Sequence, residues 1–143
     1  MANVRQISVF IENKINSLGT VLGILKKNGI NLRAMSIADT RDFGILRLIV
    51  NDTDKACEVL AQSEYALNVS DVVAVTIPDK TGALSYVLDI LGANGVNVEY
   101  LYVFMSGQAQ VSIVIRVDDN EKANKALKSG GVVQLTENDI AAM

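Results

Sequence analysis

The chain has 143 residues, of which half are apolar and a fifth are charged, so it has room for one ordinary domain or two small ones. Its net charge of −3 and its pI near 4.9 disfavour nucleic acids and anionic membranes as partners, because phosphate binding needs clustered Lys and Arg. The absence of histidine excludes histidine-based triads and most zinc sites. We expect a cytoplasmic protein, because Cys57 has no internal disulfide partner and no apolar run suits a signal peptide or a membrane span.

The first half of the chain predicts a strand followed by a helix. Ile7, Val9 and Ile11 alternate with polar or exposed positions, which is the period of a half-buried strand. An i, i+3, i+4, i+7 stripe then indicates a helix, formed by Leu18, Val21, Leu22 and Leu25. Asn28-Gly29 is a helix stop, since glycine adopts the left-handed conformation without a Cβ clash.

The rest of this half predicts two strands, a helix and a short closing strand. The elements are expected at 31–38, 44–50 after a turn at Arg41-Asp42, 53–63 and 67–70.

The second half repeats the first at an offset of 66 residues. Residues 13–32 read NKINSLGTVLGILKKNGINL and residues 79–98 read DKTGALSYVLDILGANGVNV, and nine of these twenty positions are identical. Around the second helix the offset becomes 67, where Asp54-Lys55-Ala56 matches Glu121-Lys122-Ala123. The repeat predicts strands and helices in the same order, at 73–77, 84–91, 97–105, 111–117 after a turn at Ser106-Gly107, 120–129 and 132–137.

The predicted order is therefore βαββαβ, twice, and the fold class is α+β. Right-handed crossovers place both helices of each copy on one face of an antiparallel four-stranded sheet, as in a ferredoxin-like domain. We expect one domain at 1–70 and a second at 71–143.

The strand 97–105 is apolar on both of its sides. Leu101, Val103 and Met105 are expected to face the helices, which leaves Tyr100, Tyr102 and Phe104 on an uncovered sheet face, shared with Phe10. A monomer does not normally show such a patch to water. The patch and the sheet edges predict a homo-oligomer, most simply a dimer, with cover by a loop or the chain end as the alternative.

Other ferredoxin-like functions lack their signatures here. The first loop of each copy has no cysteine pair for copper, the third strands have no RNA-stacking aromatic residues, and no glycine-flanked arginine loop holds phosphate. The loops Asp79-Lys80-Thr81-Gly82-Ala83-Leu84 and Glu12-Asn13-Lys14, with Gly95-Val96-Asn97-Val98 and Gly29-Ile30-Asn31-Leu32, instead resemble the ACT domain. The run NVEYLYVF is similar to stand-alone tandem ACT proteins, and the resemblance covers essentially the whole chain. The usual family proline is replaced by Ile15 and Thr81, and the family glycine of the first copy by Asn16.

The resemblance implies an amino-acid site at each junction between first strand and first helix. Orphan amides at the helix start suit the carboxylate, and the Asp79 side chain or the Asn13 carbonyl would accept from the ammonium. An asparagine of the second strand, taken from a neighbouring domain, would complete the site. The implied ligand-binding residues are Asp79, Thr81, Gly82, Ala83, Leu84, Asn97 and Val98 in the second copy, and Asn13, Asn16, Ser17, Leu18, Asn31 and Leu32 in the first.

The resemblance therefore implies a non-catalytic amino-acid sensor that controls amino-acid metabolism, with no cofactor or metal and with a metabolic enzyme as a possible partner. An acetolactate synthase-type regulatory subunit is one alternative, although such a subunit continues into a different C-terminal domain. A ligand-free assembly module that docks through its aromatic face is another. A small enzyme is disfavoured, because no nucleophile–base pair is evident.

Overall fold

A computed structural model of the chain describes residues 3–39, 41–105 and 110–143. Contacts divide the chain into two compact units. The first unit comprises Arg5–Ser70, and the second comprises Asp71–Ala141 together with Asn3 and Val4. The division falls where the sequence repeat begins again.

The first unit contains three antiparallel strands in the order β2-β3-β1, with two helices. Alternate residues of β1 are buried in its core, including Ile7, Val9 and Ile11, as the alternating pattern predicts. Its elements are β1 (Asn3–Glu12), α1 (Ser17–Lys27), β2 (Leu32–Asp39), β3 (Phe43–Val50), α2 (Thr53–Gln62) and the first part of β4 (Ala66–Pro78).

The second unit repeats this arrangement with strand order β5-β6-β4-β7. Val73, Val75 and Ile77 of β4 are buried in its core. Its further elements are α3 (Ala83–Ala93), β5 (Val98–Met105), β6 (Gln110–Val117), α4 (Asn120–Ser129), β7 (Val133–Leu135) and α5 (Glu137–Ala141). The predicted α+β class with antiparallel strands and the βαββαβ order is confirmed.

Both predicted glycine stops end a helix. Gly29 has a φ of 69° and Gly95 a φ of 71°. In each case the next amide reaches back over the last turn, as Ile30 N–H donates to the Leu25 carbonyl and Val96 N–H to the Leu91 carbonyl, both at 2.9 Å. The chain thereby turns from the end of the helix toward the following strand.

Two predicted strand boundaries are wrong. The expected strands at 67–70 and 73–77 form one continuous strand, β4, because no glycine or proline interrupts the chain between them. The expected strand at 132–137 ends at Leu135 and gives way to α5. Thr136 and Asp139 cap this short helix reciprocally, since Thr136 N–H donates to Asp139 Oδ2 at 2.8 Å and Asp139 N–H to Thr136 Oγ1 at 3.1 Å. The predicted turn at Ser106-Gly107 lies outside the described residues.

The expectation of an uncovered aromatic face is also wrong for its central residue. Tyr102 is only 8% exposed within the single chain, and Tyr100 and Phe104 are half-buried. Leu101 packs against the core as expected, but Val103 is 52% exposed because it lies on the edge strand β5. The Met105 side chain lies outside the described part. Phe10, expected to share this face, is 46% exposed.

Candidate functional site

The β4–α3 corner of the second unit presents a helix start with free donors. Gly82 has a φ of 84° and α3 begins directly after it. Ala83 N–H donates to the Lys80 carbonyl at 3.2 Å, whereas the amides of Leu84 and Ser85 have no acceptor among the described residues. No acidic side chain occupies the first turn of α3. The positive end of this helix is therefore open to an anion.

A pocket of about 500 Å³ lies beside this corner. We call it the second-unit pocket. It is bounded by the end of β4, the corner and the turn before β7, and its lining residues are Thr76, Ile77, Pro78, Lys80, Thr81, Gly82, Ala83, Tyr86, Val87, Gly131, Val132 and Val133. Its volume is within the range of small-molecule sites in proteins.

Tyr86 and two glycines shape one wall of this pocket. The Tyr86 hydroxyl donates to the Gly130 carbonyl at 2.7 Å, which ties α3 to the turn before β7. A Cβ on Gly130 would lie 2.5 Å from Ile90 Cδ1, so a larger residue there would require the Ile90 side chain to shift. Gly131 then takes a φ of 73°, and the chain enters β7.

The lysines of the two corners have different surroundings. Lys14 Nζ forms a salt bridge with Glu12 Oε2 at 3.2 Å. The position matching Glu12 is Pro78, and Lys80 has no ion-pair partner in the described ranges. The lining of the second-unit pocket thus carries one cation that no carboxylate of the described ranges neutralises.

The corner of the first unit has the same backbone. Asn16 adopts a φ of 67° and α1 begins at Ser17, so asparagine takes the left-handed position that Gly82 takes in the second unit. A cavity of about 90 Å³ lies here on the side of β2 and β3, where Ile37 and Gly44 line it together with Asn13, Ser17 and Leu18.

The turn after the second helix carries different side chains in the two units. At an offset of 67, Gly131 and Val132 match Glu64 and Tyr65. Glu64 has a φ of 67°, close to that of Gly131, so the two turns share a backbone. Tyr65 packs against the first core, where the second unit has the smaller Val132. The larger Tyr65 therefore holds the position that Val132 has in the lining of the second-unit pocket.

The predicted asparagines do not join the corner of their own unit. Asn97 follows the C-terminal end of α3, whereas the corner precedes its first residue, and an 11-residue helix is about 16 Å long. Asn97 N–H donates to Asp118 Oδ1 at 2.9 Å, and Asn31 N–H donates likewise to Asn51 Oδ1. Asn31 and Leu32 line a separate depression of about 480 Å³ with residues of α1.

The remaining predicted residues divide between pocket and core. Thr81, Gly82 and Ala83 line the second-unit pocket, while Asp79 is exposed and outside the lining. The side chains of Leu84 and Val98 pack against the second core.

Sequence reasoning missed Tyr86 and the turn at Gly131–Val133. The ferredoxin-like strand order could have indicated the turn, because that order places the last strand of a unit beside its first strand.

A thiol and acidic groups also occur outside the corners in the described residues. Burial raises the pKa of the Cys57 thiol, and the neighbouring charge of Asp54 raises it further, which disfavours the thiolate. In the same ranges, no three His, Cys, Asp or Glu side chains are grouped to hold a metal ion. None of the helices described has the length and apolarity needed to cross a bilayer.

Comparison with known families accounts for the doubled architecture. The family model described as an ACT domain pair matches residues 2–143. The chain belongs to the ACT domain pair family. ACT domains are regulatory modules, so this is a protein of regulatory type. The match over both halves disfavours a single ACT domain followed by a different one.

Solved structures include one near relative and several distant ones. Protein BT0572 from Bacteroides thetaiotaomicron is 40% identical, with a TM-score of 0.94 over 99% of this chain and 97% of that one. The regulatory subunit of aspartate kinase from Thermus thermophilus is 16% identical, with a TM-score of 0.70 over 92% of both chains. Aspartate kinase from Clostridium acetobutylicum is 17% identical, with a TM-score of 0.53 over 88% of this chain and 32% of its own. The similarity to the two aspartate kinase structures shows only a shared fold. No curated protein matches the chain.

Proposed function

We propose that this ACT pair is a non-catalytic sensor that binds a free amino acid and thereby controls amino-acid metabolism in the cytoplasm. We assign its domains to 1–70 and 71–143. The observation that carries the proposal is the second-unit pocket, which lies at the corner where the family resemblance implies a ligand and is lined by Thr81, Gly82 and Ala83. We propose the first-unit corner, which borders a cavity of about 90 Å³, as the second site.

In the proposed binding mode, the α3 start takes the ligand carboxylate. The amides of Leu84 and Ser85 donate to it, assisted by the helix dipole. Asp79, which lies between the lining residues Pro78 and Lys80, receives the ammonium. In the first unit the Asn13 carbonyl has this role.

We further propose that the asparagine of a neighbouring domain completes each site, with Asn97 and Asn31 serving this role. A neighbouring domain can be supplied by a second copy of the chain, which would make the sensor a homodimer joined through sheet edges. Binding would then alter domain packing, which is how a ligand signal reaches an enzyme partner. Light scattering after size-exclusion chromatography tests the assembly, and a monomer with and without ligand would contradict it.

A thermal-shift panel of the twenty amino acids tests the sensor itself. A ligand at a hundred times its dissociation constant stabilises the folded chain by about 2.7 kcal/mol, so one or a few amino acids should raise the Tm clearly. Val132→Tyr, which places the residue of the first unit in the second-unit pocket, should remove the shift and leave the circular dichroism spectrum unchanged.

Ala83→Leu reduces the same space from the helix side and serves as a second variant if Val132→Tyr folds poorly. No shift with any amino acid would contradict the proposal. If both variants fold and the ligand raises their Tm as much as before, the ligand binds outside the second-unit pocket.

A further inference from the structure

The second-unit pocket has mostly aliphatic walls, and its available polar side chains lie at one end. Most of its side chains are aliphatic, and the Tyr86 hydroxyl is already bonded to the Gly130 carbonyl. Thr76 Oγ1 is likewise engaged, 3.1 Å from Ser112 Oγ. Among the described lining residues, Lys80 carries the one charge, and Thr81 is the remaining side chain with an uncommitted hydroxyl. Polar recognition is therefore confined to the corner, and the rest of the pocket suits hydrocarbon.

The charge of Lys80 favours an anionic group at the corner. In the first unit the carboxylate of Glu12 neutralises Lys14 at 3.2 Å, and in the second unit Pro78 replaces that carboxylate. The open amides of Leu84 and Ser85 lie in the same corner, and no acidic residue of the first turn competes for them. A carboxylate placed here gains the lysine charge as well as two amide donors.

We propose that this pocket selects amino acids with uncharged aliphatic side chains and that Lys80 pairs with the ligand carboxylate. The inference rests on the proposed function and names its ligand class. A charged side chain on the ligand would have to enter the aliphatic part of the pocket, where charge is disfavoured. A cationic side chain would in addition face Lys80. Aliphatic carbons instead gain by leaving water.

A homologous series measures the aliphatic preference directly. The full chain is titrated by calorimetry with alanine, 2-aminobutyrate, norvaline and norleucine, and with aspartate and lysine as charged comparisons. Each added methylene contributes about 0.8 kcal/mol when buried, so affinity should rise about fourfold per carbon along the series. Aspartate and lysine should bind more weakly than alanine.

Lys80→Met and Lys14→Met are matched variants that test whether Lys80 pairs with the ligand carboxylate. Lys80→Met should weaken the whole series by roughly five- to tenfold and make the affinity less dependent on salt, because the pair is solvent-exposed but charge-assisted. Lys14→Met should leave the affinity of the second-unit pocket unchanged, since Lys14 does not line that pocket.

The outcomes separate the two proposals. Affinity that is flat along the series, or highest for a charged or hydroxylated amino acid, overturns the aliphatic selectivity while the sensor function stands. Equal effects of the two lysine variants overturn the role of Lys80. If none of the twenty amino acids binds, the sensor function itself has failed.

Discussion

At the scale of single residues, four left-handed positions define the two corners and the two turns beside them. Asn16 and Gly82 precede the first helices, while Glu64 and Gly131 follow the second helices. Sequence reasoning anticipated Asn16, because asparagine tolerates a positive φ better than other residues with a Cβ. Nothing in the sequence marks Glu64, since glutamate has no preference for that region. Its conformation becomes apparent only by alignment with Gly131.

Glu64→Gly should therefore stabilise the chain. A residue with a Cβ is strained at a φ of 67°, and glycine relieves that strain at some entropic loss, so a net gain of about 0.5–1 kcal/mol is expected. Urea denaturation measures it, and Glu64→Ala is the control because it removes the charge but keeps the Cβ. A gain of equal size in both variants would attribute the effect to charge and contradict this account.

At the scale of elements, the helices follow their sequence patterns closely. The 53–63 and 120–129 predictions agree with α2 and α4 to within a residue, because Asp52 and Asp119 cap them by accepting from Lys55 N–H and Lys122 N–H. Helix α5 was missed although Thr136 and Asp139 have capping-box spacing, since five residues are too few to show an apolar period.

Replacing glycine by alanine should have opposite effects on the free energy of unfolding at Gly23, within α1, and at Gly29, just after it. Gly23 lies within the helix with open space where a Cβ would be placed, so Gly23→Ala should raise the free energy of unfolding by about 0.5–1 kcal/mol. Gly29 has a φ of 69°, so Gly29→Ala should lower it by about 1 kcal/mol. Equilibrium denaturation distinguishes them, and effects of the same sign would refute the assigned helix end.

The cap of α5 should depend on pH. Hydrogen bonds from the Thr136 backbone and side chain lower the pKa of Asp139 below its ordinary value. The stabilisation is therefore complete above the pKa of the unfolded chain and is lost as the pH falls through the lower, folded pKa. A carboxyl-carbon NMR titration should find a depressed pKa that Thr136→Ala moves part of the way back. An Asp139 pKa at its ordinary value in the unaltered chain would show that the cap is absent in solution.

At the scale of the whole molecule, the repeat determines how much of the structure was predictable. The doubled βαββαβ order follows from periodicity and from the 66-residue offset, because local patterning specifies each element. The pocket was predictable only on its corner side, at Thr81, Gly82 and Ala83. Its opposite side comes from the Gly131 turn, which is brought there by strand order rather than by local sequence, and Tyr86 of α3 is bonded to that turn through the Gly130 carbonyl.

The two units differ at a few positions of the corner and the turn. Pro78, Gly131 and Val132 line the second-unit pocket, whose lysine has no ion-pair partner in the described part of the chain. At the matching positions the first unit has Glu12, which pairs with Lys14, and the larger residues Glu64 and Tyr65. The identical positions show what the two copies share, whereas the second-unit pocket is partly lined at positions where the copies differ.

An amide NMR titration with norvaline tests the central claim most directly. We predict that the largest chemical-shift changes fall on Gly82, Leu84, Ser85 and the 131–133 turn, and that the amides of Asn16 and Ser17 change little. Changes centred on the first-unit corner, or an unaltered spectrum at saturating ligand, would contradict the account.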